Sequence, residues 1–194
     1  MKVSKRGEYA LRALIDLGIA AEVGRPLIQL TELADSEKIP VKFLEQIMQV
    51  LKDASLVESV RGRYGGYSLA RPAGKIAVGQ VVRLIDGPLA PIGCVSQTAY
   101  EKCSCPDESH CGLRMVMLDV RNAIANILDR YSLADVVEVT LRKMRRDGVP
   151  LPFARTAKAK SRPDEHRAGR RAAAPGNLQP VEGLINNVLG DYAI

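Results

Sequence analysis

The 194 residues include 46% apolar and 26% charged side chains, an ordinary soluble composition with enough chain for one or two small cores. No apolar run reaches the length that a membrane-spanning helix needs, and the charged N-terminus lacks the pattern of a secretion signal. These features argue against a membrane protein or membrane partner. They predict a cytoplasmic location, where thiols stay reduced.

The formal net charge of +6 is unevenly distributed along the chain. From Arg145 onward there are nine Lys and Arg side chains against five Asp and Glu, an excess of four. The preceding body therefore carries only +2, yet residues 59–75 contain four basic side chains and no acidic one. The charge predicts one local basic patch, suited to a nucleic acid.

The first half of the chain has the pattern of a helix-turn-helix. Apolar residues recur at three- and four-residue steps over 5–23, which predicts a first helix. The apolar run 27–30 is compatible with a minimal strand, and Thr31 is placed to cap a second helix. Pro40 suits the first turn of a third helix ending near Asp53. The apolar face of that helix consists of Leu44, Ile47, Met48 and Leu51.

A glycine-rich basic turn follows these helices. Two β-prone runs, 56–60 and 67–70, flank Arg61-Gly-Arg-Tyr-Gly-Gly66 and predict a β-hairpin. Three helices and a hairpin make a winged helix, so the predicted fold class is mainly α with a small β-hairpin wing. Turn geometry alone would explain the glycines of an isolated hairpin. Beside a helix-turn-helix, however, arginines at a wing tip suit the narrow, negative minor groove.

Three further helices are predicted at 77–86, at 112–131 and from Ser132 to about Arg146. Apolar residues of the second are spaced by alternating steps of four and three, as in a coiled-coil seam. They are Leu113, Met117, Val120, Ile124, Ile127 and Tyr131. Because the winged helix has a core of its own, we predict that this seam forms a homodimer, which would read two half-sites on DNA.

This organisation predicts three segments. Residues 1–76 form the winged-helix DNA-binding domain. Residues 77–146 contain a linker helix, a cysteine loop and the dimerisation helices. Residues 147–194 are rich in Pro, Ala, Arg and Lys and are predicted to be a disordered basic tail.

All four cysteines lie in the loop 94–111. Such a cluster can be a disulfide pair, a zinc site, an iron–sulfur site or a thiol switch. A reducing compartment disfavours the disulfide pair, and the paired Cys-x2-Cys spacing of most zinc sites is missing. A structural zinc, a cluster, or a switch in which Cys103 and Cys105 form a disulfide under stress all stay open. No catalytic constellation or nucleotide-binding loop is present, so we predict that the protein is not an enzyme.

With these pieces in place, residues 1–146 resemble the dimeric winged-helix regulators typified by IscR, NsrR and RirA, the Rrf2 family. The matching stretches are 2–12, Phe43-Leu-Glu-Gln46, the wing at 56–71 and Cys105-Pro-Asp-Glu-Ser-His-Cys111. The resemblance implies a transcriptional repressor that binds a pseudo-palindromic operator in double-stranded DNA. It also implies that an iron–sulfur cluster, [2Fe-2S] or [4Fe-4S], sets DNA affinity by sensing iron supply, nitric oxide or oxidants.

The resemblance places the iron of the cluster on Cys94, Cys105 and Cys111. This sequence departs from the family in a longer first gap and in the extra thiol of Cys103. Alternate residues of extended backbone point to opposite sides, so we expect Cys105 to be the ligand and Cys103 to be spare. The fourth ligand would be Cys103 or Glu8 of the partner subunit.

A histidine ligand of the IscR type is not expected here. The position that would hold it, three residues after the last cysteine, is Arg114. His110 lies nearby, but we expect it to be a solvent-exposed loop residue.

On DNA, the resemblance implies that helix residues face base edges while wing arginines reach the minor groove. The residues expected to contact DNA are Lys5, Arg6, Lys42, Phe43, Glu45, Gln46, Arg61, Arg63 and Tyr64. Residues 29–58 carry three basic and six acidic side chains. The wing and the N-terminus must therefore supply most of the attraction to phosphate.

Overall fold

The computed structural model describes residues 2–154 of the chain. Within that range, six α-helices and two strands follow one another as α1 (Lys5–Glu22), α2 (Leu30–Glu37), α3 (Val41–Asp53), β1 (Val57–Val60), β2 (Gly66–Leu69), α4 (Val78–Asp86), α5 (Gly112–Arg130) and α6 (Leu133–Arg146). The prediction of a mainly α fold with a winged helix-turn-helix and a small β-hairpin is confirmed. None of the helices in residues 2–154 is long and apolar enough to cross a membrane. The cytoplasmic location stays a prediction.

Helix α1 is the centre of the core. Its apolar stripe includes Leu14 and Leu17, both fully buried, and it packs against the apolar face predicted for α3. All four residues of that face, Leu44, Ile47, Met48 and Leu51, are fully buried. Burying a side chain of this size contributes about 1.5–3 kcal/mol, so this contact holds the helix-turn-helix together.

The start of α2 differs from the prediction. Ile28 forms an antiparallel bridge with Tyr67, with N–H···O distances of 3.0 and 2.8 Å, so the run 27–30 does pair with the hairpin. This bridge fixes the chain so that the helix begins at Leu30, with Gln29 in the N-cap position and no side-chain cap bond. The prediction that Thr31 caps α2 is wrong, because Thr31 already lies in the first turn.

The two strands form an antiparallel hairpin in which Val57 faces Leu69 and Val60 faces Gly66. A Cβ atom on Gly66 would overlap the carbonyl oxygen of Ile28. The glycine therefore lets the base of the wing approach the backbone that leads into α2.

Helices α4 and α6 also pack on α1. The core includes Ile76 and Val81 on one side and Leu133, Val137 and Leu141 of α6 on the other. Ser132 caps α6 with a reciprocal capping box to Asp135, which confirms the predicted start of this helix.

The predicted boundaries at residues 76 and 146 stay predictions. Most of the predicted tail, residues 155–194, lies outside the described residues. Of the part that is described, Leu151 and Phe153 pack against the core.

Candidate DNA-binding surface and cysteine loop

The face of α3 opposite the core is polar and exposed. It brings together Lys42, Glu45 and Gln46, three of the residues predicted to contact DNA. Phe43 differs from them, because its ring is half-buried and meets the ring of Tyr9 edge-on at 5.8 Å between centroids. Phe43 thus anchors the start of α3 on α1.

The tip of the wing is exposed and basic. Arg61, Arg63 and Tyr64 all lie on the surface, and Tyr64 is 71% exposed. The guanidinium of Arg63 lies 5.8 Å from the centre of the Tyr64 ring. The side-chain amide of Gln29 donates to the Arg63 carbonyl at 3.2 Å, which ties the wing tip to the start of α2.

The N-terminus of α1 adds two exposed cations, Lys5 and Arg6. Lys5 lies 2.8 Å from the carboxylate of Glu8, which raises the pKa of Lys5 above its ordinary value. Arg12 contacts the same carboxylate at 3.4 Å. The hydrogen bond from Lys5 lowers the pKa of Glu8, so this half-exposed carboxylate is ionised at neutral pH.

The cysteine loop begins in a single 3-10 turn, Gly93–Val95, and ends at α5. Cys94 is buried in the turn, whereas Cys103 and Cys111 are half-buried and Cys105 is exposed. All four are free thiols. Cys111 is the N-cap of α5, and its sulfur accepts the backbone N–H of Arg114 at 3.4 Å.

The thiols lie near one another. Cys103 interacts electrostatically with both Cys94 and Cys105, and Cys105 also interacts with Cys111. The expectation that Cys103 and Cys105 point apart assumed extended backbone, whereas the backbone bends at Ser104. Which of the two is a ligand stays a prediction.

Crowding of the thiols disfavours their ionisation. The hydrogen bond with Cys103, together with repulsion between the two charges, raises the pKa of Cys105 to about 11. Burial, followed by the charge of Cys103, raises the pKa of Cys94. A bound cation would relieve this repulsion, so the group is chemically suited to a metal that takes thiolate ligands.

One carboxylate organises the loop around these thiols. Glu108 accepts hydrogen bonds from the Tyr100 hydroxyl at 2.7 Å and from Nε of Arg114 at 3.1 Å, and the Cys103 sulfur lies 3.8 Å away. Arg114, in the position of the IscR-type histidine, is thus paired with Glu108. His110 is largely exposed and faces Asp107 at 2.5 Å, which confirms the expectation for this residue.

The donor set fits an iron–sulfur cluster in its chemistry. The donors are soft thiols in one loop, and one of them lies at a helix N-terminus, where the helix dipole favours a thiolate. Within residues 2–154, no group of three or more His, Cys, Asp and Glu side chains is arranged to hold a metal ion as it stands.

Residues 3–139 match the Rrf2 family, described as an iron-dependent transcriptional regulator. The chain belongs to the Rrf2 family. An rrf2-like HTH-type transcriptional regulator of Rhodobacter capsulatus is 36% identical over 137 residues, which cover 70% of this chain and 91% of that protein. The HTH-type transcriptional regulator CymR of Bacillus subtilis is 30% identical over 140 residues, covering 72% and 92%.

Two solved structures share the fold of this Rrf2-family protein. The structure of CymR, the global cysteine regulator of B. subtilis, gives a TM-score of 0.60 at 28% identity and covers 72% of this chain and 98% of that one. T. potens IscR gives 0.56 at 30% identity, covering 72% and 88%. These relatives confirm the predicted family, and they make this protein a DNA-binding transcriptional regulator.

Sequence reasoning missed three polar side chains of the Rrf2-family protein. Glu108 gave no signal, since it is one of several acids and polar residues in the loop. Asp86 gave none either, because Ser4, which donates hydrogen bonds to it, lies 82 positions earlier in the chain. Asp16, which is buried, could have been noticed in the sequence, because it is a lone acid three residues after Ala13 in the apolar stripe of α1.

Proposed function

We propose that this Rrf2-family protein is a homodimeric repressor whose affinity for DNA is set by an iron–sulfur cluster bound in the loop 94–111. The observation that carries the proposal is the grouping of four electrostatically coupled thiols in one loop, which lies between α4 and the exposed helix α5. Ordering of this loop would set the separation of the two recognition helices in the dimer.

The cluster would be held by Cys94, Cys105 and Cys111, with Glu8 of the partner subunit or Cys103 as the fourth ligand. When bound, it supplies iron that responds to iron supply, nitric oxide or oxidants. At the start of α5, the backbone N–H of Arg114 donates to the sulfur of Cys111.

The dimer would form through α5. No residue of α5 is buried, although the helix is rich in apolar side chains. Those exposed are Leu113, Met115, Val116, Val120 and Ile127. A contiguous apolar surface of this kind is typical of an interface. Pairing along the predicted seam would place two winged helices side by side on a pseudo-palindromic operator.

On that operator, α3 would present Glu45 and Gln46 to base edges, and Arg61 and Arg63 would enter the adjacent minor groove. Gln can pair with adenine and Glu can accept from cytosine. Lys5, Arg6 and Lys42 would contact phosphates. This function involves no catalysis.

The test begins with protein purified without oxygen. Its visible absorption and its iron, sulfide and zinc content are measured, and a DNA duplex is selected by the protein from a random-sequence library. Loaded and cluster-free protein are then titrated with that duplex at one salt concentration. We expect iron and sulfide in the protein and two different affinities. Colourless, iron-free protein after reconstitution, or equal affinities, would contradict the proposal.

A second candidate function is a cluster-free thiol switch, favoured by the electrostatic interaction of Cys103 with Cys105, its neighbour two residues along the chain. Hydrogen peroxide would oxidise one thiolate to a sulfenic acid and release hydroxide. The second thiol would then displace water from the sulfenic acid and leave a disulfide. The same metal analysis separates these functions, because iron-free protein that gains a peroxide-dependent disulfide and changes its DNA affinity is a thiol switch. Stoichiometric zinc instead would indicate a structural zinc site.

A further inference from the structure

The end of α4 is bonded to the start of α1. Asp86, the last residue of α4, accepts a hydrogen bond from the backbone N–H of Ser4 at 3.0 Å and another from the Ser4 hydroxyl. Ser4 is the N-cap of α1, and its hydroxyl oxygen accepts the N–H of Gly7 at 3.0 Å. One carboxylate therefore holds the cap of another helix, 82 positions earlier in the chain.

The negative charge of Asp86 is more favourable at the start of α1 than at the end of its own helix, α4. A carboxylate at the C-terminus of its own helix is unfavourable, because the helix dipole is negative there. At the N-terminus of α1 the same charge is favourable, because that end is positive and its N–H groups need acceptors. Contacts with α1, and not with α4, explain why an acid occupies this position.

The shape of α1 also matches this carboxylate. Gly7 is buried, and a Cβ atom there would overlap the Asp86 carboxylate. Residue 7 therefore has to lack a side chain for Asp86 to reach Ser4. We call Ser4 and Gly7 the Asp86 socket.

This contact lies between the two functional surfaces. On one side, Gly87 follows Asp86 and the chain runs on to Cys94 of the loop. On the other side, Lys5 and Arg6 follow Ser4 directly. Helix α4 is therefore bonded to α1 where the connection from α4 to the loop begins and where the cationic N-terminus of α1 starts.

A second clamp ties α4 to α5. The Nη1 and Nη2 atoms of Arg83 donate hydrogen bonds to the two carboxylate oxygens of Asp129, at 2.7 and 2.5 Å. A Cβ atom on Gly79 would overlap the same carboxylate. Because α4 is fixed to α5 at one place and to α1 at another, it cannot shift without moving one of them.

We propose that Asp86 is a positioning residue that passes the state of the cysteine loop to the DNA-binding N-terminus of α1. The inference rests on the proposed function and deepens it. A change at the loop displaces the end of α4, Asp86 moves the cap Ser4, and Lys5 and Arg6 change their position on the operator.

The test measures the ratio of operator affinities between the loaded and the cluster-free protein. We expect Asp86→Ala to bring this ratio several-fold closer to one. We expect Asp86→Asn, which keeps a carbonyl acceptor for Ser4, to restore part of it. Glu22→Ala is the matched control, since it removes an exposed carboxylate from the last position of α1, and it should keep the wild-type ratio. A wild-type ratio in Asp86→Ala would overturn the inference.

A double-mutant cycle tests the socket itself. Gly7→Ala alone fills the space of the carboxylate and should bring the ratio closer to one, as Asp86→Ala does. In the double variant the space is already vacant, so Gly7→Ala should have no further effect. Thermal unfolding of each variant shows that it is folded. Independent, additive effects of the two substitutions would contradict a shared socket.

Hydrogen exchange separates this inference from the proposed function. Exchange at the amides of residues 4–8 is compared before and after reconstitution of the loop with ferrous iron and sulfide, or after alkylation of its thiols with iodoacetamide. We expect a change in the wild type and none in Asp86→Ala. Equal affinities of loaded and cluster-free wild type would reject only the proposed function. An unchanged exchange in the wild type would reject the role of Asp86, even if DNA affinity responds to the loop.

Discussion

The stability of this protein should fall as the pH rises towards neutrality, because of one buried acid. Asp16 lies in the apolar stripe of α1 and is only 4% exposed. Within residues 2–154 its Oδ2 atom has no hydrogen-bond partner. Burial, together with the negative charge of Glu37, raises the pKa of Asp16 to about 7. Ser36 and Arg12 favour its ionised form, but less strongly.

The magnitude follows from the difference between folded and unfolded chains. The pKa of Asp16 rises from 3.8 to about 7, and each unit corresponds to about 1.4 kcal/mol. Between these values the folded chain holds a proton that the unfolded chain has lost, so folding is weakened as the pH rises. The contribution of Asp16 to the free energy of unfolding should therefore drop by up to about 4 kcal/mol between pH 4 and pH 8 and then stay level.

The variant Asp16→Asn isolates this effect, because an amide of the same shape does not titrate. Urea unfolding at fixed protein concentration, at several pH values from 5 to 8, gives the free energy of each protein. We expect the free energy of unfolding of the variant to rise relative to that of the wild type by a few kcal/mol between pH 5 and pH 8. Glu22→Gln, an exposed acid on the same helix, should follow the wild type. If Asp16→Asn and the wild type ran parallel over this range, the reasoning would be refuted.

Three further predictions concern the proposed function. Arg61→Ala should weaken operator binding several-fold and reduce the steepness of log affinity against log salt by about 1, as measured by titration at several salt concentrations. An unchanged affinity would exclude a role of the wing in DNA binding. Val120→Glu should convert the proposed dimer to a monomer in light scattering, because a charge would be buried in the seam. Asn122→Glu, on the opposite face of α5, should leave the dimer intact. A dimeric Val120→Glu variant would exclude this seam as the interface. Cys105→Ser should lose bound iron and visible absorption while Cys103→Ser keeps them, and the reverse result would exchange their roles.

The helices were predictable because their signals are local. Apolar periodicity and a capping residue lie within a few positions of the helix they define. Ser132 with Asp135 marks the start of α6 in the sequence as clearly as in the structure. The buried face of α3 could likewise be read from its spacing alone, and all four of its residues are fully buried.

The polar contacts were not predictable because their partners are distant in the chain. Asp86 and Ser4 are 82 positions apart, and no periodicity connects them. The bridge between Ile28 and Tyr67 moved the start of α2 for the same reason, since it depends on the folded hairpin. The bend at Ser104, between Cys103 and Cys105, is likewise not indicated by any residue pattern in the loop.

Helix α1 contacts α4, the helix-turn-helix and α6. Its start holds Asp86 of α4, its middle places Asp16 against the end of α2, and Gly18 near its end faces Val137 of α6. An 18-residue helix is about 27 Å long and behaves as a rigid rod. A displacement at Ser4 is therefore carried along α1 to the helix-turn-helix and to α6, whereas a flexible connection would absorb it. The state of the loop and the protonation of Asp16 consequently act on the same helix, and each should alter the response of the protein to the other.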